Sequence, residues 1–164
     1  NVTDRIKNFG ILNYAGPEKT MIDIGANHGK FGLELKRDFK QIDCVEPFCP
    51  APDPIPNNMI WHSMGFKNFV STNKQQWDLV LTFACTIQIA DIDLMPEAEI
   101  AKNHYDLVKT NGHLIYETQK QSGRPANGEH VQKIVNSFIK LMGEPIKSGK
   151  ARRGGRMYYV FYKK

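Results

Sequence analysis

The sequence predicts an α/β fold: a three-layer sandwich in which a mostly parallel seven-stranded sheet, with an antiparallel final strand, carries helices on both faces. Three observations predict it. Short apolar runs alternate with amphipathic stretches, no repeat or low-complexity tract interrupts them, and the 164 residues have the composition of one globular unit, 41% hydrophobic and 24% charged. Strands alternating with helical stretches read as βα units, whose crossovers make neighbouring strands parallel.

Residues 1–18 read as a short lead before the first strand, in a single domain over 1–164. A start at Asn1 rather than Met points to a trimmed or excised domain with a neighbouring domain or subunit. Residues 20–24, Thr-Met-Ile-Asp-Ile, end at Gly25 as a buried strand. A helix follows over 30–38, with Phe31, Leu33, Leu35 and Phe39 as its apolar members. The second strand is 41–46. The stretch 47–58 then holds five prolines, so an irregular loop replaces the next helix. Strands are predicted at 59–63 and at 77–83, where the apolar core is almost continuous. Pro96 opens a helix to about Lys109, and Asn111-Gly112 stops it. Residues 113–117 form the fifth strand, and 128–142 form a helix buried through Val131, Ile134, Val135, Phe138, Ile139 and Leu141. An antiparallel hairpin of 146–150 and 157–162, turning at Gly154-Gly155, closes the sheet.

Lys and Arg number 22 against 17 Asp and Glu, a formal charge of +5 and a pI near 9.1. The last eighteen residues hold seven of the basic ones and no acid, a distribution that favours a polyanionic partner. Three cysteines, Cys44, Cys49 and Cys85, fit no zinc spacing, and no His pair has metal-ligand spacing, so no metal site is expected. The cysteine usage and the lack of an apolar run of membrane length or a signal-like start place the chain in the cytoplasm, away from membranes.

The chemistry concentrates where the first strand meets its helix. Glycines let a ligand approach the backbone, and a helix start offers free amides. A dinucleotide fingerprint needs GxGxxG, but Asn27 stands at its second glycine. Asp23-Ile24-Gly25-Ala26-Asn27-His28-Gly29 instead resembles motif I of the class I S-adenosylmethionine-dependent methyltransferases, and a tight turn in another α/β protein is the plain alternative. Glu46, 17 residues after Gly29, is similar to the motif II acid; residues 77–83 resemble motif IV, and 105–115 resemble the approach to motif V. The resemblance covers about 19–164.

It implies S-adenosylmethionine as cofactor, held by Asp23, Gly25, Ala26, Asn27, Gly29, Glu46, Pro47, Ser63, Met64, Thr82 and Phe83, with S-adenosylhomocysteine as product. The Pro-rich loop departs from the family pattern, as does the lack of an acid after the third strand. Glu117 ends the fifth strand at the edge where ligands bind, so it is a candidate to orient or deprotonate the acceptor. Its plain alternative is a hydrogen-bonded surface carboxylate. Arg152, Arg153 and Arg156 at the hairpin turn are candidate phosphate contacts, which slightly favours RNA as acceptor. The Pro-Cys of cytosine-C5 enzymes, the Asp/Asn-Pro-Pro-aromatic tetrad of adenine-N6 enzymes and the Lys-Asp-Lys-Glu set of cap ribose enzymes are not found in the sequence. Cys85 therefore reads as a small buried thiol. A module that binds without turnover and a nicotinamide-dependent dehydrogenase are the other readings, and loops 47–58 and 122–127 are candidates to select the acceptor.

Overall fold

The computed structural model describes residues 1–120, 125–152 and 155–164. Seven strands form one sheet: β1 (Gly16–Ile24), β2 (Phe39–Val45), β3 (Met59–His62), β4 (Trp77–Phe83), β5 (Val108–Glu117), β6 (Lys147–Arg152) and β7 (Arg156–Tyr162). Their order is β3-β2-β1-β4-β5-β7-β6. The first five run parallel, and β7 lies antiparallel between β5 and β6. The chain winds outward from β1 in one direction and from β4 in the other, so a crevice opens between their C-terminal ends.

Each face of the sheet has its own core. On one face α1 (Val2–Phe9) and α2 (Lys30–Leu35) cover Met21, Leu79, Leu81, Ile115 and Val160. On the other, α3 (Phe66–Thr72), α4 (Thr86–Asp93), α5 (Glu97–Leu107) and α6 (Pro125–Met142) cover Ile22, Val80, Leu114, Tyr116 and Phe161. Alternation along the strands sends successive residues to opposite layers. The predicted three layers are therefore present.

Three of the differences from expectation have a plain physical reason. Residues 1–18 are more than a lead. Asn1 accepts the amide of Asp4 at 2.8 Å, Gly10 ends the helix in the left-handed region (φ 70°), and Ile6 and Phe9 are buried on the sheet. Asn111-Gly112 does not stop the helix. Val108 has already turned extended, and Asn111 (φ 65°) donates to the Lys163 carbonyl at 2.7 Å inside an irregular stretch of β5. Finally, α3 and α4 stand where the sequence reading placed no element; they are seven and eight residues long and are held by Phe66, Phe69 and Ile89. No helix of the described residues is long and apolar enough to cross a membrane.

Candidate functional site

The glycine loop closes the β1 end of the crevice. Gly25 (φ 72°), Asn27 (φ 54°) and Gly29 (φ 69°) all take left-handed backbone, which turns the chain tightly into α2. A Cβ on Gly25 would stand 2.7 Å from Cys85 Cβ, so the glycine is required by the β4 turn packed against it. Gly25 and Ala26 anchor the loop by donating to the Val45 carbonyl at 2.9 and 3.2 Å.

Asp23, two residues earlier in β1, is 2% exposed, and its Oδ2 has no hydrogen-bond partner. Burial pushes its carboxyl up to about 7; the Arg5 guanidinium pulls down and Glu46 adds to the rise. Such an orphaned acid is costly to bury and matches a cationic ligand.

Glu46 follows β2 and is 6% exposed. Its Oε2 accepts the Asn27 amide at 2.8 Å, and its Oε1 accepts the amides of Phe48 at 2.8 Å and Cys49 at 3.2 Å. The carboxylate thus ties the glycine loop to the proline-rich loop. Pro47 and Ser63 are exposed at this edge, Met64 packs partly on the core, and Phe48 is 73% exposed.

At the β4 end, Thr82 is fully buried, with its hydroxyl 3.3 Å from Cys85 Sγ. Its hydroxyl faces the turn that follows β4. Phe83 does reach this region, packing edge-on to Phe9 and Phe31 with ring centroids 5.4 and 4.9 Å away.

Glu117 is not an open base. Its carboxylate has no exposure and accepts Arg5 Nε at 2.7 Å, Arg5 Nη2 at closer range, and Arg156 Nη1 at 3.3 Å. The Arg5 guanidinium also lies 4.8 Å from the Phe31 ring and 5.0 Å from Phe83. Arg152 pairs in register with Arg156 on the neighbouring strand. Arg153 and residues 122–124 of loop 122–127 lie outside the described residues.

No family profile matches this sequence, and no curated protein is similar to it at a significant level. Solved structures are similar. The N-methyltransferase NodS from Bradyrhizobium japonicum WM9 superposes with a TM-score of 0.72 at 14% identity, over 98% of this chain and 96% of that one. The fold is that of the class I methyltransferases.

Geranyl diphosphate C-methyltransferase from Streptomyces coelicolor A3(2), solved with Mg2+, geranyl diphosphate and S-adenosyl-L-homocysteine, gives 0.71 at 11% identity over 99% and 79% of the two chains. Fibrillarin in its Nop5p complex gives 0.62 at 14% identity over 90% and 74%.

Within this methyltransferase fold, two groups escaped the sequence reading. Arg5 lay in the supposed lead, although Val2, Ile6 and Phe9 at helical spacing before Gly10 could have revealed α1. The second group centres on Thr86. Its hydroxyl lies 3.3 Å from Tyr116 Oη, 3.3 Å from Gln119 Oε1 and 3.0 Å from His130 Nε2, while His130 Nδ1 faces Glu97 at 3.4 Å. These five residues share no sequence signal, because the contacts are made only by the fold.

Proposed function

We propose that this chain is an S-adenosylmethionine-dependent methyltransferase of one domain over 1–164. The observation that carries the reading is the buried, unpartnered carboxylate oxygen of Asp23 beneath the glycine loop, in a fold shared with solved methyltransferases. Asp23 would take the cofactor's ammonium. Gly25, Ala26, Asn27 and Gly29 would let its methionine part lie on the backbone. Glu46 retains acceptor capacity for ribose hydroxyls, since an ionised carboxylate offers about four lone-pair sites and three are used. Pro47, Ser63 and Met64 would border the adenine, and Phe83 would stand by the transferable methyl.

Bound S-adenosylmethionine supplies a methyl on a sulfonium sulfur, open to in-line displacement by a nucleophile. The protein's share is alignment and exclusion of water, which can account for much of such catalysis. Arg5, Phe31 and Phe83 wall the methionine end, and the β4 turn at Ala84 and Cys85 sets the floor.

RNA is the favoured acceptor, supported by the charge of +5 and by the basic hairpin that brings Arg152 and Arg156 to the crevice edge. Three unpaired thiols support a reducing, cytoplasmic setting.

Calorimetric titration of the chain with S-adenosylmethionine, S-adenosylhomocysteine and NAD tests the cofactor. Saturable heat with the first two is expected; binding of NAD alone would overturn the reading. Labelled S-adenosylmethionine incubated with RNA, protein and small-molecule pools then separates an enzyme from a binding module. Asp23→Ala and Glu46→Ala are each expected to weaken cofactor binding at least about tenfold, the scale of a lost charge-assisted bond.

A further inference from the structure

Two guanidiniums converge on one buried carboxylate beyond the β5 end: Arg5 and Arg156 both donate to Glu117.

Arg156 is the outer member. Its side chain is 27% exposed, and of its five N–H donors one meets Glu117, at 3.3 Å. Because β7 runs antiparallel, Arg156 begins the strand two places beyond the Glu117↔Tyr158 pair. It therefore lies at the same edge as the glycine loop. Phe83 is in register with Glu117, so a group held by Arg156 is carried over the end of β4.

We propose that the methyl acceptor carries an anionic group, a phosphate or a carboxylate, that Arg156 receives, and that Glu117 is a positioning residue fixing Arg156 and Arg5 against it. This rests on the methyltransferase reading and supplies the acceptor chemistry which that reading leaves open. Glu117 has the right form for the task. A buried carboxylate that takes two guanidiniums spends both oxygens on orientation and sets the planar fork of Arg156 before the ligand arrives. A base would need an oxygen open to the acceptor, and this side chain has no exposure.

The test uses the full chain saturated with S-adenosylhomocysteine and titrated separately with inorganic phosphate, acetate and a short single-stranded RNA. Heat and the arginine Nε–H resonances are followed. Saturable phosphate binding that shifts Arg156 is expected. Arg156→Gln should weaken it about tenfold, the usual scale for a lost charge-assisted contact, and Arg156→Lys should restore only part. Glu117→Gln should weaken phosphate while leaving S-adenosylhomocysteine affinity within about twofold, because it loosens the arginine rather than the cofactor loop. Lys40→Gln makes the same charge change at the exposed far end of β2 and should leave phosphate binding unchanged.

An RNA-only response lost in Arg156→Gln supports the proposal with a nucleic-acid phosphate as source; a phosphate or acetate response supports it with a small anion. The proposal is overturned if Arg156→Gln behaves as Lys40→Gln, if Arg156→Gln weakens the cofactor instead, or if the wild-type chain binds no anion. Absence of S-adenosylhomocysteine binding would refute the cofactor reading instead, and the same titrations on the unliganded chain would still read the arginine site.

Discussion

Asp23 and His104 show how single buried groups set opposite pH responses. Folding raises the Asp23 carboxyl from 3.8 to about 7, so the folded chain keeps a proton that the unfolded chain releases. Its contribution to stability is greatest below about pH 4 and is lost as pH rises through about 7. A cation-binding role needs the ionised form, so cofactor affinity should rise roughly tenfold between pH 6 and pH 8. Calorimetric titration across that range checks this, and a flat profile would count against Asp23 as the ammonium site. Asp23→Asn should remove the pH dependence and raise the unliganded Tm at pH 8 while weakening the cofactor.

His104 works the other way. Its ring stacks on Phe66 at 4.5 Å and its Nδ1–H donates to the Ile100 carbonyl at 2.7 Å, while Nε2 is buried without a partner. Burial lowers the imidazole from 6.5 to about 4, against a smaller rise from the Ile100 bond. The unfolded chain takes up this proton first on acidification. Stability present above pH 6.5 is therefore lost down to about pH 4, by about 3 kcal/mol at one pH unit per 1.4 kcal/mol. His104→Phe should flatten the fall in Tm between pH 7 and pH 5; an unchanged slope would assign the acid sensitivity to another group.

At the scale of elements, the glycine loop and the β4 turn are built against each other. Gly25→Ala must place a methyl 2.7 Å from Cys85 Cβ on left-handed backbone, so a loss of about 1–3 kcal/mol is expected in urea denaturation. A midpoint equal to wild type would mean that the turn moves freely. These elements were largely legible in the sequence. Residues 77–83 form a strand with the predicted ends because an apolar run flanked by polar residues has one natural length. Asp23, Gly25, Asn27 and Glu46 do meet at one crevice, because strand order follows from βα winding.

What stayed hidden depends on tertiary contact. The seven residues of α3 bury two phenylalanines and little else, too short a period to detect. Thr82 belonged to a matched motif, yet whether a strand-end hydroxyl faces a ligand or a neighbouring thiol is decided by the turn that follows. Glu117 does end β5, at the C-terminal edge of the parallel strands, but its two arginines come from 112 residues before it and 39 after it.

Taken as a whole, the molecule is two cores divided by one sheet. Phe9 fills the α1 side, stacked on Tyr158 at 4.5 Å, and Phe138 fills the α6 side; both are fully buried. Since every strand serves both layers, the two faces should melt in one transition. Phe9→Ala and Phe138→Ala should each cost about 3–5 kcal/mol. The double variant should lose nearly the sum, as expected for distant sites without shared partners. Calorimetry showing a second, separately shifted transition in Phe9→Ala would mean instead that the α1 layer is a separate folding unit.

Glu46 has a last consequence at this scale. Three backbone amides, from the loops that follow β1 and β2, already hold its carboxylate in place. A ribose arriving there finds an acceptor whose rotamer entropy was lost during folding rather than on binding. Association should then proceed at the rate of encounter, without a slow rearrangement, and differences in affinity among loop variants should be found in the lifetime of the complex.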